Sequence, residues 1–134
     1  MTENDSLTLH ETITPPSSQD LAWLDGVVKR FEEAWLHNIK PAIDDFLPLS
    51  EGERRVALIE LVNIDMERRL RGGEVARVET YVQQYPELAN DREVMLDLIA
   101  NEFRLRRQRE PGLLHNAYLV RFTKYAAELS ERLA

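Results

Sequence analysis

The chain contains no cysteine, which excludes disulfides, a thiolate nucleophile and a thiolate metal site. Its three histidines, His10, His37 and His115, stand apart from one another, and no HExxH pair or other metal-ligand spacing occurs. Glycine is scarce, at five residues. The pair Gly72-Gly73 has neither the GxGxxG nor the GxxxxGK[ST] pattern that cradles a phosphate, and no serine stands in GxSxG. No run approaches eighteen consecutive apolar residues. The opening "MTENDSLTLHETITPPSSQD" lacks the basic start and apolar stretch of a signal peptide, so the reading is a cytoplasmic protein with no membrane partner. Strand signals are weak throughout, which leaves an all-α class.

What is present is one domain's worth of apolar and charged residues. The 134 residues are 43% hydrophobic and 31% charged, enough for one compact domain with a core and too few for two. A formal charge of −7 and a pI near 5.0 oppose a polyanionic partner, because such binding draws on neutralised phosphates. Of 17 basic residues 14 are arginine, suited to planar, bidentate pairing with carboxylates.

Residues 1–17 are rich in Thr, Ser, Glu and Pro without a sustained period and read as a disordered tail, with Thr14-Pro15 as a possible phosphorylation site. Residues 18–134 read as a helical repeat domain. Leu21, Leu24, Val28, Phe31 and Trp35 recur at helical spacing, Asn38 is a stop, and Pro41 opens a short helix through "PAIDDFL". Ser50 and Glu53 have capping-box spacing before a helix to about Leu70. Gly72-Gly73 ends it. A short helix through Tyr81 and Tyr85 stops at Pro86, Asn90 or Asp91 caps a helix with the stripe Met95, Leu98, Ile99 and Phe103, and 114–122 and 126–133 are the last segments.

The strongest signal is a repeat. At an offset of 37, Leu58, Leu61, Val62 and Met66 fall on Met95, Leu98, Ile99 and Phe103, and Tyr81 and Tyr85 on Tyr118 and Phe122. Asp65 and Arg69 likewise match Glu102 and Arg106, an acid followed four residues later by arginine and so sharing a helix face. A weaker copy lies 35 residues upstream, with Leu24, Phe31 and Phe46 on Ile59, Met66 and Tyr81, but Arg30 and Ala34 replace the polar pair. The expected architecture is therefore a small bundle of about six helices in units of about 21–49, 50–89 and 90–133, each a long helix followed by a short aromatic one. The aromatics are expected to plug the groove beside the long helix, and Asp65–Arg69 and Glu102–Arg106 to be ion pairs tying that helix to the next turn. "FRLRRQR" at 103–109, with Arg104, Arg106, Arg107 and Arg109, reads first as a cationic last turn offsetting the helix dipole. A nucleic-acid contact through Arg104–Arg109 is the alternative.

The phrases "FEEAWLHNIKPAIDDFLP", "ALIELVNIDMERRLRGGEVARVETYVQQYPEL" and "LDLIANEFRLRRQREP" resemble the helical region that precedes the catalytic domain in planctomycete-type bacterial serine/threonine protein kinases. The shared elements fall on Phe31, Glu32, Ala34 and Trp35, on Leu58, Glu60, Leu61, Asp65, Glu67, Arg68 and Arg69, and on Tyr81, Tyr85, Pro86 and Glu87. Thr123 departs from the pattern, standing where proline is expected. The Gly-rich loop, VAIK lysine, HRD and DFG motifs of a kinase are absent from these residues. The resemblance implies a noncatalytic regulatory or docking domain, or a free-standing adaptor, whose partner is a protein: a kinase catalytic domain, its substrate or an adaptor. It implies no cofactor in this chain, with ATP and Mg only if a kinase domain follows, and leaves the oligomeric state open. Trp35, Tyr81, Tyr85, Arg106 and Arg107 are its candidate contact residues, packing roles first.

Overall fold

The computed structural model describes residues 21–37 and 40–134; the tail, Thr14, and the expected stop at Asn38 lie outside them. Six α-helices are present among the described residues: α1 (Ala22–Leu36), α2 (Glu51–Arg71), α3 (Val78–Gln84), α4 (Arg92–Arg109), α5 (His115–Arg121) and α6 (Ala126–Arg132). Three short 3-10 helices connect them, at Ile43–Phe46, Pro86–Asn90 and Thr123–Tyr125. The class is all-α, as the periodicity implies. The first unit's short helix is only a four-residue 3-10 turn, and Pro41 stands before it rather than in it.

Local chemistry accounts for the ends of the long helices. The Ser50 hydroxyl accepts from the Glu53 amide at 3.4 Å, one half of the expected capping box. Asp91 caps α4, accepting from the amides of Glu93 at 3.0 Å and Val94 at 3.3 Å. Past α2 the Gly73 amide donates to Leu70 O and the Glu74 amide to Arg69 O, the paired bonds of a Schellman stop. Only Gly73 takes the left-handed conformation, with φ +82°; Gly72 stays at φ −80°.

The long helices stack in sequence order, α1 on α2 and α2 on α4, and the seven-residue α6 packs on α4. Their shared core holds Phe31, Leu58, Leu61, Met66, Leu96, Leu98, Ile99, Leu105 and Leu129. Each such side chain contributes about 1.5–3 kcal/mol on removal from water. Val27, Leu96 and Leu105 are core positions that the stripe reading omits.

The repeat is visible in the packing. Phe31 meets Phe46 edge-on at 5.3 Å between centroids, and Phe103 meets Tyr118 edge-on at 5.2 Å; these are equivalent pairs of the first and third units. The helix stack also keeps its register. Arg55 on α2 donates to Asp91 at 2.9 Å, and thirty-seven residues on, Arg92 on α4 donates to Glu128 of α6 at 2.8 Å.

Candidate functional site

The four matched aromatics are all buried: Tyr81, Tyr85, Tyr118 and Phe122. The hydroxyls of the three tyrosines add what an apolar plug lacks. Tyr81 donates to Asp65 Oδ2 at 2.6 Å, Tyr85 donates to Asp44 at 2.8 Å, and Tyr118 donates to Glu102 Oε2. Burial, then the bond to a carboxylate, raises all three phenol pKa values, that of Tyr118 to about 12. A phenol held neutral in this way is a structural donor, not a proton-transfer group poised near neutral pH.

The acid–arginine spacing tells only half the story. In the second unit the pair forms as expected, with Arg69 Nε 2.8 Å from Asp65 Oδ2, and Arg69 also lies over the Trp35 ring at 5.3 Å. In the third unit the expected pair is present but looser, without a hydrogen bond. Arg106 stays 3.8 Å from Glu102 and bonds instead to Glu110 at 2.9 Å and to the Tyr118 hydroxyl at 3.1 Å.

Glu102 has another partner, Arg121, whose Nη1 and Nη2 donate to its two oxygens at 2.6 and 2.7 Å. The same guanidinium reaches Glu79, 2.6 Å from Nε. The Val78 amide completes the set at 2.9 Å. The reason is geometric: the tyrosine hydroxyl and Arg121 converge on the buried carboxylate from α5, leaving Arg106 at the edge. Burial by itself would lower the Arg121 pKa; the bonds to Glu79 and Glu102 outweigh it and raise it. Arg121 was not a candidate in the sequence, although Arg121 replacing Gln84 in the repeat was a readable signal.

The basic cluster divides. Arg106 is tied to Glu110 and Tyr118, and Arg109 donates to the Arg71 carbonyl at 2.6 Å. Arg104 and Arg107 are exposed. Together with Asp97, Ala100, Asn101 and Gln108 they form one face of α4 at spacings of three and four, which borders a groove of about 760 Å³. Phe103 and Leu133 supply apolar floor, with Arg107 over the Phe103 ring at 5.6 Å.

The repeat gives this face a meaning. Its counterpart on α2 is Glu60, Asn63, Ile64, Glu67, Leu70 and Arg71, and α4 lies along that face: Asn101 donates to Asn63 at 2.9 Å, Arg109 to Arg71 O, and Leu70 is buried. On α4 only the beginning of the stripe is covered, where Arg132 of α6 pairs with Glu93 and Asp97. Apart from Asn101, which bonds Asn63, the rest of the stripe is uncovered among the described residues, and its chemistry has changed. Ile64 is replaced by Asn101, Leu70 by Arg107, and Glu67 by Arg104.

Among the described residues there is no group of His, Cys, Asp or Glu able to hold a metal ion, and no helix is long and apolar enough to cross a membrane. Comparison with protein-family models, with curated proteins and with solved structures found no match.

Proposed function

We propose that this chain is a noncatalytic docking module whose open α4 face receives a helix from a partner protein, in the manner of the region preceding the catalytic domain of planctomycete-type serine/threonine kinases. The observation that carries this reading is the half-covered stripe. The same face is covered along α2 by the next long helix, while on α4 its part around Ala100, Arg104 and Arg107 is uncovered among the described residues.

Charge complementarity names the chemistry of the occupant. Arg104 and Arg107 stand where α2 has Glu67 and Leu70, so the fitting helix has an apolar stripe over Ala100 and Phe103 and acidic residues on its flank. The sequence phrases that resemble the region preceding such catalytic domains support a catalytic domain, or its substrate or adaptor, as the protein presenting that helix. ATP and Mg would belong to that partner. Regulation and a cytoplasmic location go with the same proposal.

The nucleic-acid reading has less support. Three of the four arginines in 103–109 are hydrogen-bonded to other groups, Arg104 to Asn101, Arg106 to Glu110 and Arg109 to the Arg71 carbonyl, and the chain carries a net charge of −7. Titration of the full chain with an isolated planctomycete-type kinase catalytic domain, and separately with duplex DNA, tests both. Saturable binding to the catalytic domain with no DNA binding at low salt is the expected result. Salt-sensitive DNA binding without kinase binding would replace this reading with the other.

A further inference from the structure

The uncovered part of the α4 face carries positive charge that nothing around it answers. Among the described residues Arg104 bonds the Asn101 side-chain oxygen and Arg107 lies over the Phe103 ring at 5.6 Å, so no carboxylate meets either guanidinium. The acid in the groove, Asp97, is taken by Arg132. Two exposed cations therefore stand beside the apolar floor of Ala100 and Phe103, in a chain whose net charge is −7.

The chemistry that fits this face is present in the chain itself. Residues 1–20, which lie outside the described residues, hold four acids, Glu3, Asp5, Glu11 and Asp20, and neither lysine nor arginine. They carry four of the seven net negative charges. Within them Asp5, Leu7, Leu9 and Glu11 are alternate residues, and alternate residues share one side of an extended backbone, here in the order acid, apolar, apolar, acid. From Asp5 to Glu11 an extended backbone spans about 20 Å. The groove's stretch of α4 from Asp97 to Gln108 is of similar length, about 16 Å.

The tether is long enough. Ala22 and Glu53 line one hollow, Glu32 lies 3.7 Å from Arg68, Arg55 bonds Asp91, and Arg109 bonds the Arg71 carbonyl. Thus α1, α2 and α4 run side by side in one direction, with Ala22 at their starting end. From there Arg104 lies about 20 Å along α4 and two helix spacings of about 8–10 Å across. The stretch from Leu9 to Leu21 extends to about 40 Å. A segment tethered at such range acts at an effective concentration of about millimolar, so a weak contact suffices to hold it.

We propose that residues 5–11 of this chain lie on the α4 face, with Leu7 and Leu9 against Ala100 and Phe103 and with Asp5 and Glu11 beside Arg104 and Arg107. The segment then competes with the partner helix for that face. The competition rests on the docking reading above; the contact itself does not.

A nitroxide on Ser6→Cys, the sole cysteine of the full chain, tests the contact through paramagnetic broadening of amide NMR signals with no partner present. Broadening centred on Ala100, Arg104 and Arg107 is expected. It should be lost in Arg104→Glu with Arg107→Glu, and again in Asp5→Lys with Glu11→Lys, whose changes lie outside the described fold and leave Tm unchanged. The proposal is overturned if the α4 signals stay sharp, or if their broadening survives both charge reversals. It is equally overturned if the α4 signals broaden as strongly when the nitroxide sits on a separate chain, since the segment then reaches a second copy. For the competition, Asp5→Lys with Glu11→Lys should bind the kinase catalytic domain more tightly, on the order of tenfold for a face covered nine-tenths of the time. Unchanged affinity would remove the competition. Broadening at α4 with no kinase binding by any variant would overturn the docking reading and the competition while leaving the contact in place.

Discussion

Replacing Glu102 by leucine strands three donors at once, because its two oxygens hold the Tyr118 hydroxyl, the Val78 amide and the Arg121 fork. Removing one partner of a buried pair costs about 3 kcal/mol or more, and urea unfolding of Glu102→Leu is expected to show a loss of that size. Asp65→Leu is expected to cost less, since one Asp65 oxygen makes no bond and Arg69 keeps Glu74. Equal losses would mean that Arg121 adds nothing to the third unit. The phenols give a second check. Unfolded tyrosine ionises near 10 and folded Tyr118 near 12, and a raised pKa supplies stability that is complete below the unfolded value and lost as pH climbs through the folded one. Stability should therefore fall between about pH 10 and 12, with Tyr81, Tyr85 and Tyr118 ionising together on unfolding; gradual ionisation of all three in a chain that stays folded would contradict the bonds described. At this scale helical spacing was enough to place Asp65 beside Arg69. It could not show that Arg121, nineteen residues from Glu102, would take the hydrogen bonds of Glu102 and leave Arg106 at 3.8 Å, because that choice is made by packing between helices.

At the scale of elements, the Gly72-Gly73 stop rests on one residue. A Cβ on Gly73 would require an L side chain at φ +82° and would lie 3.4 Å from the Arg109 guanidinium, so Gly73→Ala is expected to destabilise by about 1–2 kcal/mol in thermal or urea unfolding. A neutral result would show that the turn relaxes to another conformation. Ser50, Asp91 and the break at Pro86 were legible because caps and proline act through neighbouring backbone atoms. The 3-10 turn at Pro86–Asn90 was not, and that at Ile43–Phe46 was legible only as a short helix opened by Pro41. Their residues carry no periodicity of their own, and their form follows from seating Ile43, Phe46 and Leu88 against helices distant in sequence.

The whole molecule is held together by apolar contact along the stack and by ion pairs between elements: Lys40–Glu74, Arg54–Glu87, Arg92–Glu128 and Arg121–Glu79. Bonds from these cations lower the pKa of all four carboxyls, that of Glu128 from 4.5 to about 2. A lowered pKa supplies stability that is complete above the unfolded value and lost as pH falls through the folded one. Tm is thus expected to drop between about pH 4.5 and 2; a flat profile there would mean that these pairs add nothing. The stacked units were legible as a repeat from Leu58, Met66 and Tyr81 alone. The open face of α4 was not, since Arg104 and Arg107 look like any cationic last turn until the covered face of α2 is set beside them. The most direct measurement of the docking account is the affinity of the chain for a planctomycete-type kinase catalytic domain, before and after Arg104→Glu with Arg107→Glu. Loss of binding on the order of tenfold or more, about 1.4 kcal/mol, with unchanged Tm is the predicted result. Undiminished affinity in a folded double variant would contradict it.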